Sequence, residues 1–161
     1  MIRRLIFSII IISSCSAVNI QQSTLMGKPS PKTRITMLDG EYKALASYDG
    51  KRTALFFWAQ WCSFSRSRIV KFNELAKFYK PKDINFIAVS ADDYEKFNDL
   101  TDFIRAKELV NVEHAFSGNG IYDEAFMAFG VSEYPSFVVM DENLNVILYT
   151  TDIGEVEDLL R

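Results

Sequence analysis

The sequence predicts a layered α/β domain, a sheet with helices on both faces, and three observations carry that prediction. Two almost continuously apolar runs, Thr53–Ala59 and Ile84–Val89, are each followed by a stretch with apolar residues at helical spacing. A strand that is apolar on both sides belongs in the middle of a sheet covered by helices. Near the C-terminal end, Ser136–Met140 and Val146–Tyr149 flank the turn Asp141–Asn145, which reads as an antiparallel hairpin. The third observation is composition: 161 residues, 48% of them apolar and 14% aromatic, are enough for one core and too few for several domains.

Each element has its own signal. Ile35–Leu38 and Tyr42–Leu45 flank Asp39-Gly40, a turn between two short strands, and Asp49-Gly50-Lys51 makes the next turn. After the strand 53–59, Ile69, Phe72, Leu75, Ala76 and Tyr79 recur every three to four residues, giving an amphipathic helix that ends before Pro81. The strand 84–89 is followed by a helix over 94–107 with Phe97, Leu100, Phe103 and Ile104 inward. Val112–Phe116 reads as irregular. Ile121–Phe129 is a shorter helix closed by Gly130, and Glu155–Arg161 has room for two helical turns. In such a fold a ligand crevice lies at the carboxyl ends of the parallel strands.

Composition also excludes functions. With 18 Lys+Arg against 21 Asp+Glu the chain has a formal charge of −3, without the clustered basic residues that nucleic-acid binding needs. Two cysteines and one histidine build neither a zinc site nor a disulfide framework, and no cofactor is implied. His114 reads as a surface or strand residue rather than a catalytic base. Glu155, Glu157 and Asp158 read as acids at a helix start and a solvated face.

The first residues are of another kind. Met1-Ile2-Arg3-Arg4 is a basic start, and the apolar run Leu5–Ile12 is too short for a permanent membrane helix. With Ile12-Ser13-Ser14-Cys15 the segment resembles the bacterial lipoprotein signal, in which the cysteine sulfur receives a diacylglycerol before cleavage in front of it. An ordinary cleaved signal, or an uncleaved anchor, with Cys15 there by chance, is the alternative reading of the same residues. The resemblance implies a signal peptide over residues 1–14, a lipidated Cys15 with a flexible tether over 15–34, and a folded domain over 35–161. Ser16, rather than an aspartate, implies outer-membrane sorting where a cell has two membranes. A tether of that length has an end-to-end distance of about 25 Å. Removing residues 1–14 takes away Arg3 and Arg4 and no acid, so 18 basic residues become 16 against 21 acidic ones, net −5. Such a surface is not expected to seek anionic lipid, which leaves the acyl group as the expected membrane contact.

The strand 53–59 runs into Gln60-Trp61-Cys62-Ser63-Phe64-Ser65, where the helix begins. This places Cys62 at a helix N-terminus, where free N–H groups and the helix dipole favour a thiolate. Phe57-Trp58-Ala59-Gln60-Trp61-Cys62 resembles the active-site approach of the thioredoxin fold. Leu38-Asp39-Gly40, Asp49-Gly50-Lys51 and Val131-Ser132-Glu133-Tyr134-Pro135-Ser136 resemble the TlpA/ResA branch of envelope thiol–disulfide oxidoreductases. The likeness covers about residues 32 to 150. It implies a mixed central sheet, a nucleophile at Cys62, and a cis Pro135 facing it. Tyr134 would then offer its backbone to an extended substrate, a form of strand addition. From the residues alone, Pro135 can also begin an edge strand in trans. Trp61 and Phe64, flanking Cys62, read as an apolar rim for a client peptide, and Trp58 as core.

The departures from that family matter for the chemistry. Where it has a second cysteine, this chain has Ser65, whose hydroxyl cannot resolve a mixed disulfide but can donate a hydrogen bond to a thiolate. Arg68 stands where many relatives carry a carboxylate, and Phe56 where thioredoxins bury an aspartate, so neither opposes a thiolate. Arg66 can face the sulfur or the solvent. The expected activity is single-thiol exchange, or capture of clients as mixed disulfides, on protein or small-molecule thiols and disulfides. It would take place outside the cytoplasm, in the periplasm where there is one, on a lipid-anchored head. The competing reading is a binding or assembly module that kept the fold and lost the redox step. A peroxidase is disfavoured because no proline precedes the cysteine in its loop.

Overall fold

A computed structural model describes residues 24–161. The expected signal peptide and the expected lipidation site at Cys15 lie outside these residues. Within them the chain runs β1 (Arg34–Thr36), β2 (Tyr42–Ala44), β3 (Arg52–Trp58), α1 (Ser63–Tyr79), β4 (Ile84–Ser90), α2 (Phe97–Ala106), β5 (Glu113–Phe116), α3 (Glu124–Phe129), β6 (Ser136–Met140), β7 (Val146–Thr150) and α4 (Ile153–Leu160), with short 3-10 turns between several of them.

β1 and β2 form a separate antiparallel hairpin, and the other five strands make one sheet in the order β5-β4-β3-β6-β7. β4 is parallel to both β3 and β5, while β6 runs antiparallel to β3 and β7 antiparallel to β6. The mixed sheet follows from the connections. A helix long enough to span the sheet returns the chain for a parallel strand, whereas the five-residue turn after Met140 allows only an antiparallel one.

Strand alternation divides the core in two. Ala54, Phe56 and Trp58 of β3 face α1, α4 and Leu100 of α2, while Leu55, Phe57 and Ala59 face α3 and the hairpin. Phe56 stacks on Phe137 with ring centroids 4.6 Å apart, and Phe57 meets Phe126 edge to face at 4.9 Å. Both residues of β3 are fully buried, so truncating either to alanine costs about 3–5 kcal/mol. α1 buries Ile69, Phe72, Leu75, Ala76 and Tyr79, the residues whose spacing predicted it. The short α3 is held at both ends: Asp123 accepts from the amides of Ala125 and Phe126, and Gly130 closes it in the left-handed region at φ 61°.

Two boundaries differ from the sequence reading. Val112–Phe116 was expected to be irregular, but residues 113–116 are the edge strand β5, paired with Ile87–Ser90 of β4. Its mixed sequence conceals it, because an edge strand with one covered face lacks the apolar run of a central one. The chain is also attached to the domain well before Ile35. Gly27 N–H donates to Val146 O, Ser30 N–H to Leu144 O, and Val146 N–H to Lys28 O. These bonds use backbone groups of β7 and of the turn before it, which leaves no hydrophobic signature in residues 27–30.

Candidate active site

The carboxyl ends of β3, β4 and β5 share one end of the sheet, and the loop carrying Cys62 leaves β3 there. Two attachments fix that loop. Ala91 N–H donates to Trp58 O at 2.8 Å, and the buried carboxylate of Asp92 accepts the Gln60 N–H at 2.8 Å through Oδ2. The same oxygen accepts the Ser90 hydroxyl at 2.5 Å, and Ser90 Oγ in turn accepts the Asp92 N–H at 3.0 Å. Asp92 is fully buried, and its Oδ1 has no hydrogen-bond partner among the described residues. A buried carboxylate thus holds a backbone amide two residues before the sulfur. Sequence reading missed it; the available signal was the polar pair Ser90-x-Asp92 directly after an apolar strand.

Cys62 is half-buried, precedes the first residue of α1, and is the cysteine of the described residues. Its N–H donates to Ala59 O at 3.1 Å, and its carbonyl accepts the Arg66 N–H at 3.0 Å, the first turn of the helix. The thiol therefore sits beside the uncompensated N–H groups of a 17-residue helix whose first turn holds no acid. Arg66 and Arg68 are both exposed, and neither forms an ion pair among the described residues.

The Tyr134–Pro135 bond is cis. Because Ser136 pairs with Phe57 in the antiparallel register, Pro135 flanks the end of β3 from which the Cys62 loop departs. Ser136 Oγ–H donates to Glu133 O at 2.8 Å and closes the turn around the proline. Tyr134 is half-buried on the same core face as Cys62, with its ring perpendicular to that of Trp61 at 5.9 Å and near Phe126 at 5.7 Å. Burial pushes its phenol up from the usual range, so the hydroxyl stays neutral. Trp61 and Phe64 are exposed, 59% and 70%, at the mouth of this site, while Trp58 lies in the core.

Ser65 departs from expectation. It is fully buried, and its Oγ makes no hydrogen bond among the described residues, so the expected hydrogen bond to the Cys62 sulfur is absent. One turn into the helix its side chain faces the core rather than the helix start. His114 lies on β5, where its Nε2 bonds to Leu109 O at 2.7 Å, and burial pushes its imidazole below the ordinary range. It is structural and neutral, and β5 stands at the sheet edge beyond β4 from Cys62. No cluster of three metal-ligating side chains occurs among the described residues.

This arrangement, a cysteine at the start of the helix after a central strand with a cis-proline beside it, is that of the thioredoxin-like fold. Residues 26–148 match the AhpC/TSA family, and the chain belongs to that family. Within it the likeness is of the TlpA/ResA type. The chain is 28% identical over 154 residues to the thiol-disulfide oxidoreductase ResA of Bacillus thuringiensis subsp. konkukian, covering 89% of this chain and 86% of that one. It is 29% identical over 122 residues to ResA of Bacillus cereus strain ATCC 10987, covering 76% and 67%. Among solved structures, the thioredoxin domain of a thiol-disulfide oxidoreductase from Bacteroides vulgatus superposes with a TM-score of 0.71 at 17% identity, covering 84% of this chain and 98% of that one.

Proposed function

We propose that this protein is a lipid-anchored envelope thiol–disulfide exchange protein that works with one thiol. The observation that carries the reading is the half-exposed Cys62 at the start of α1, beside a cis-proline loop and over a buried serine at the place of a second thiol. The Cys62 thiolate attacks one sulfur of a client disulfide. A mixed disulfide forms as the client S–S bond breaks, and the other client sulfur leaves as a thiolate that takes a proton. Ser65 cannot perform the return attack, so a second client thiol or a small external thiol displaces Cys62 and restores its thiolate. The protein thus ends unchanged in oxidation state, which suits isomerisation, client capture or exchange with a small disulfide. Trp61 and Phe64 supply apolar contact to the client, and the Tyr134 backbone supplies strand pairing. The ResA-type likeness supports the chemistry, and the residues Leu5–Cys15 support the anchor.

The competing reading is a binding module without redox chemistry, favoured by the absence of a second thiol beside Cys62 among the described residues. Comparing envelope extracts from a parent strain and a Cys62→Ala strain on non-reducing gels separates the two. Reducible adducts present only in the parent are expected. Identical patterns with the same co-purifying proteins would replace the exchange reading with the binding module.

A further inference from the structure

The β1–β2 hairpin and α2 leave an apolar hollow at the outer edge of β5. The backbone of that edge is already covered: Met37 bridges Ala115, and Leu38 N–H donates to His114 O at 2.9 Å. A partner therefore has no free edge to extend there and can engage the place only through side chains. Leu38, Phe97 and Phe116 line a hollow of about 270 Å³, with the Phe97 and Phe116 rings 5.5 Å apart and Tyr94 forming one wall. Beyond it the groove continues along β5 over His114 and Thr101, where Lys43 and Glu113 neutralise each other at 3.0 Å.

Tyr94 is 74% exposed, yet its base is fixed. Its N–H donates to Gly118 O at 3.1 Å, and the neighbouring Asp93 bridges Asn119. Gly118, at φ 73°, lies so close that a side chain there would meet Tyr94 Cβ at 3.1 Å. An aromatic ring held out on a fixed base above an apolar hollow has the form of a binding surface. The segment that carries it is also tied to the nucleophile's loop, through Ala91 N–H to Trp58 O and Gln60 N–H to Asp92 Oδ2. Hollow and sulfur thus belong to one framework.

We propose that this hollow seats a large apolar side chain of an extended client polypeptide whose cysteine meets Cys62, and that Tyr94 selects it. The proposal rests on the client-exchange reading above and names the client class. Spacing fixes which client residue is read. β5 is two strands from β3, and Met37 lies one pairing further out, so the hollow is about 14 Å across the sheet from the strand that delivers Cys62. In an extended chain alternate side chains share a face, and four residues span about 13 Å. The residue four places from the client's cysteine therefore points the same way as that cysteine and reaches the hollow. A small disulfide cannot span both places, so the arrangement favours peptide clients.

Fluorescence anisotropy with the full chain tests this on short labelled peptides whose single cysteine is S-methylated, so that binding is read without exchange. Phenylalanine four residues before or after that cysteine is expected, in one of the two orientations, to tighten binding roughly tenfold over serine at the same place. Phenylalanine three residues away, on the other face, should bring no gain. The gain should vanish in Tyr94→Ala and survive in Tyr94→Phe. Equal affinities of the phenylalanine and serine peptides in both orientations, or a gain that persists in Tyr94→Ala, would overturn the proposal. Turnover of a small aromatic disulfide by the parent protein reports the thiol chemistry separately, so failure of the exchange reading and failure of the client hollow give different results.

Discussion

The indole of Trp61 and the ring of Tyr134 meet edge to face, with centroids 5.9 Å apart and planes at 90°. The contact joins the loop of the nucleophile to the loop of the cis-proline, which come from strands 78 residues apart when counted from Trp58 to Ser136. It therefore shapes the cleft in which a client would lie. Such a ring pair is worth about 0.5–1.5 kcal/mol.

Trp61→Ala is accordingly expected to raise KM for a disulfide peptide by about 2- to 12-fold, with kcat nearly unchanged. Because Trp61 is mostly exposed, the urea midpoint should hold within the equivalent of about 1 kcal/mol. Trp61→Phe should recover most of the lost KM. Steady-state exchange with a fluorogenic disulfide peptide reads both, and an equal fall in kcat for both variants would argue against a positioning role.

Asp92 should be costly to remove and cheap to mimic. Asp92→Ala leaves the Gln60 N–H and the Ser90 hydroxyl without their acceptor in a dry site, with an expected loss of about 2–4 kcal/mol. Asp92→Asn keeps an acceptor oxygen and should lose less than half of that. Urea unfolding measures the stability. The rate of Cys62 alkylation in native buffer measures the loop, and it should change in Asp92→Ala and return in Asp92→Asn.

Ser65 makes the reverse prediction. Its buried hydroxyl has no partner to lose, so Ser65→Ala should change stability by no more than about 1 kcal/mol and leave Cys62 alkylation unaltered. Ser65→Cys places a second thiol one helical turn from Cys62 and should form an internal disulfide on mild oxidation, seen as the loss of two hydrogens by mass spectrometry. If Ser65→Ala instead slows alkylation severalfold, the hydroxyl does act on the sulfur.

His114 predicts a pH dependence. Burial holds its imidazole neutral in the native state at a pH where the unfolded chain, with a value near ~6.5, has begun to take up a proton. The unfolded state then binds more protons, so stability rises with pH through this region. This contribution is complete above about pH 7 and declines as pH falls below ~6.5 toward the depressed native value. Denaturant midpoints at pH 7.5 and 5.5 should differ in the parent and differ less in His114→Gln, which can still donate to Leu109 O.

Much of the site was legible in the sequence because its signals are local. Cys62 follows a strand and starts a helix, two periodicities that meet within a few residues, and the Tyr134-Pro135-Ser136 stretch carries its own backbone restriction. Asp92 was not legible, since its role depends on a hydrogen bond across 32 residues to an amide with no side-chain signature. The role given to Ser65 failed for a related reason: spacing puts it one turn from the sulfur, but packing turns its hydroxyl into the core.

By itself the sequence determined where the central strands and the helices form, which residues are apolar enough to be buried, and that the domain has a single thiol once residues 1–15 are set aside. These follow from covalent order and periodicity, which every segment carries alone. Only the tertiary structure decided that β5 pairs at the sheet edge, that residues 27–30 belong to the domain, and that Asp92 reaches the Gln60 amide. Those outcomes depend on the direction in which each helix returns across the sheet, and strand pairing fixes that direction between residues far apart in the chain.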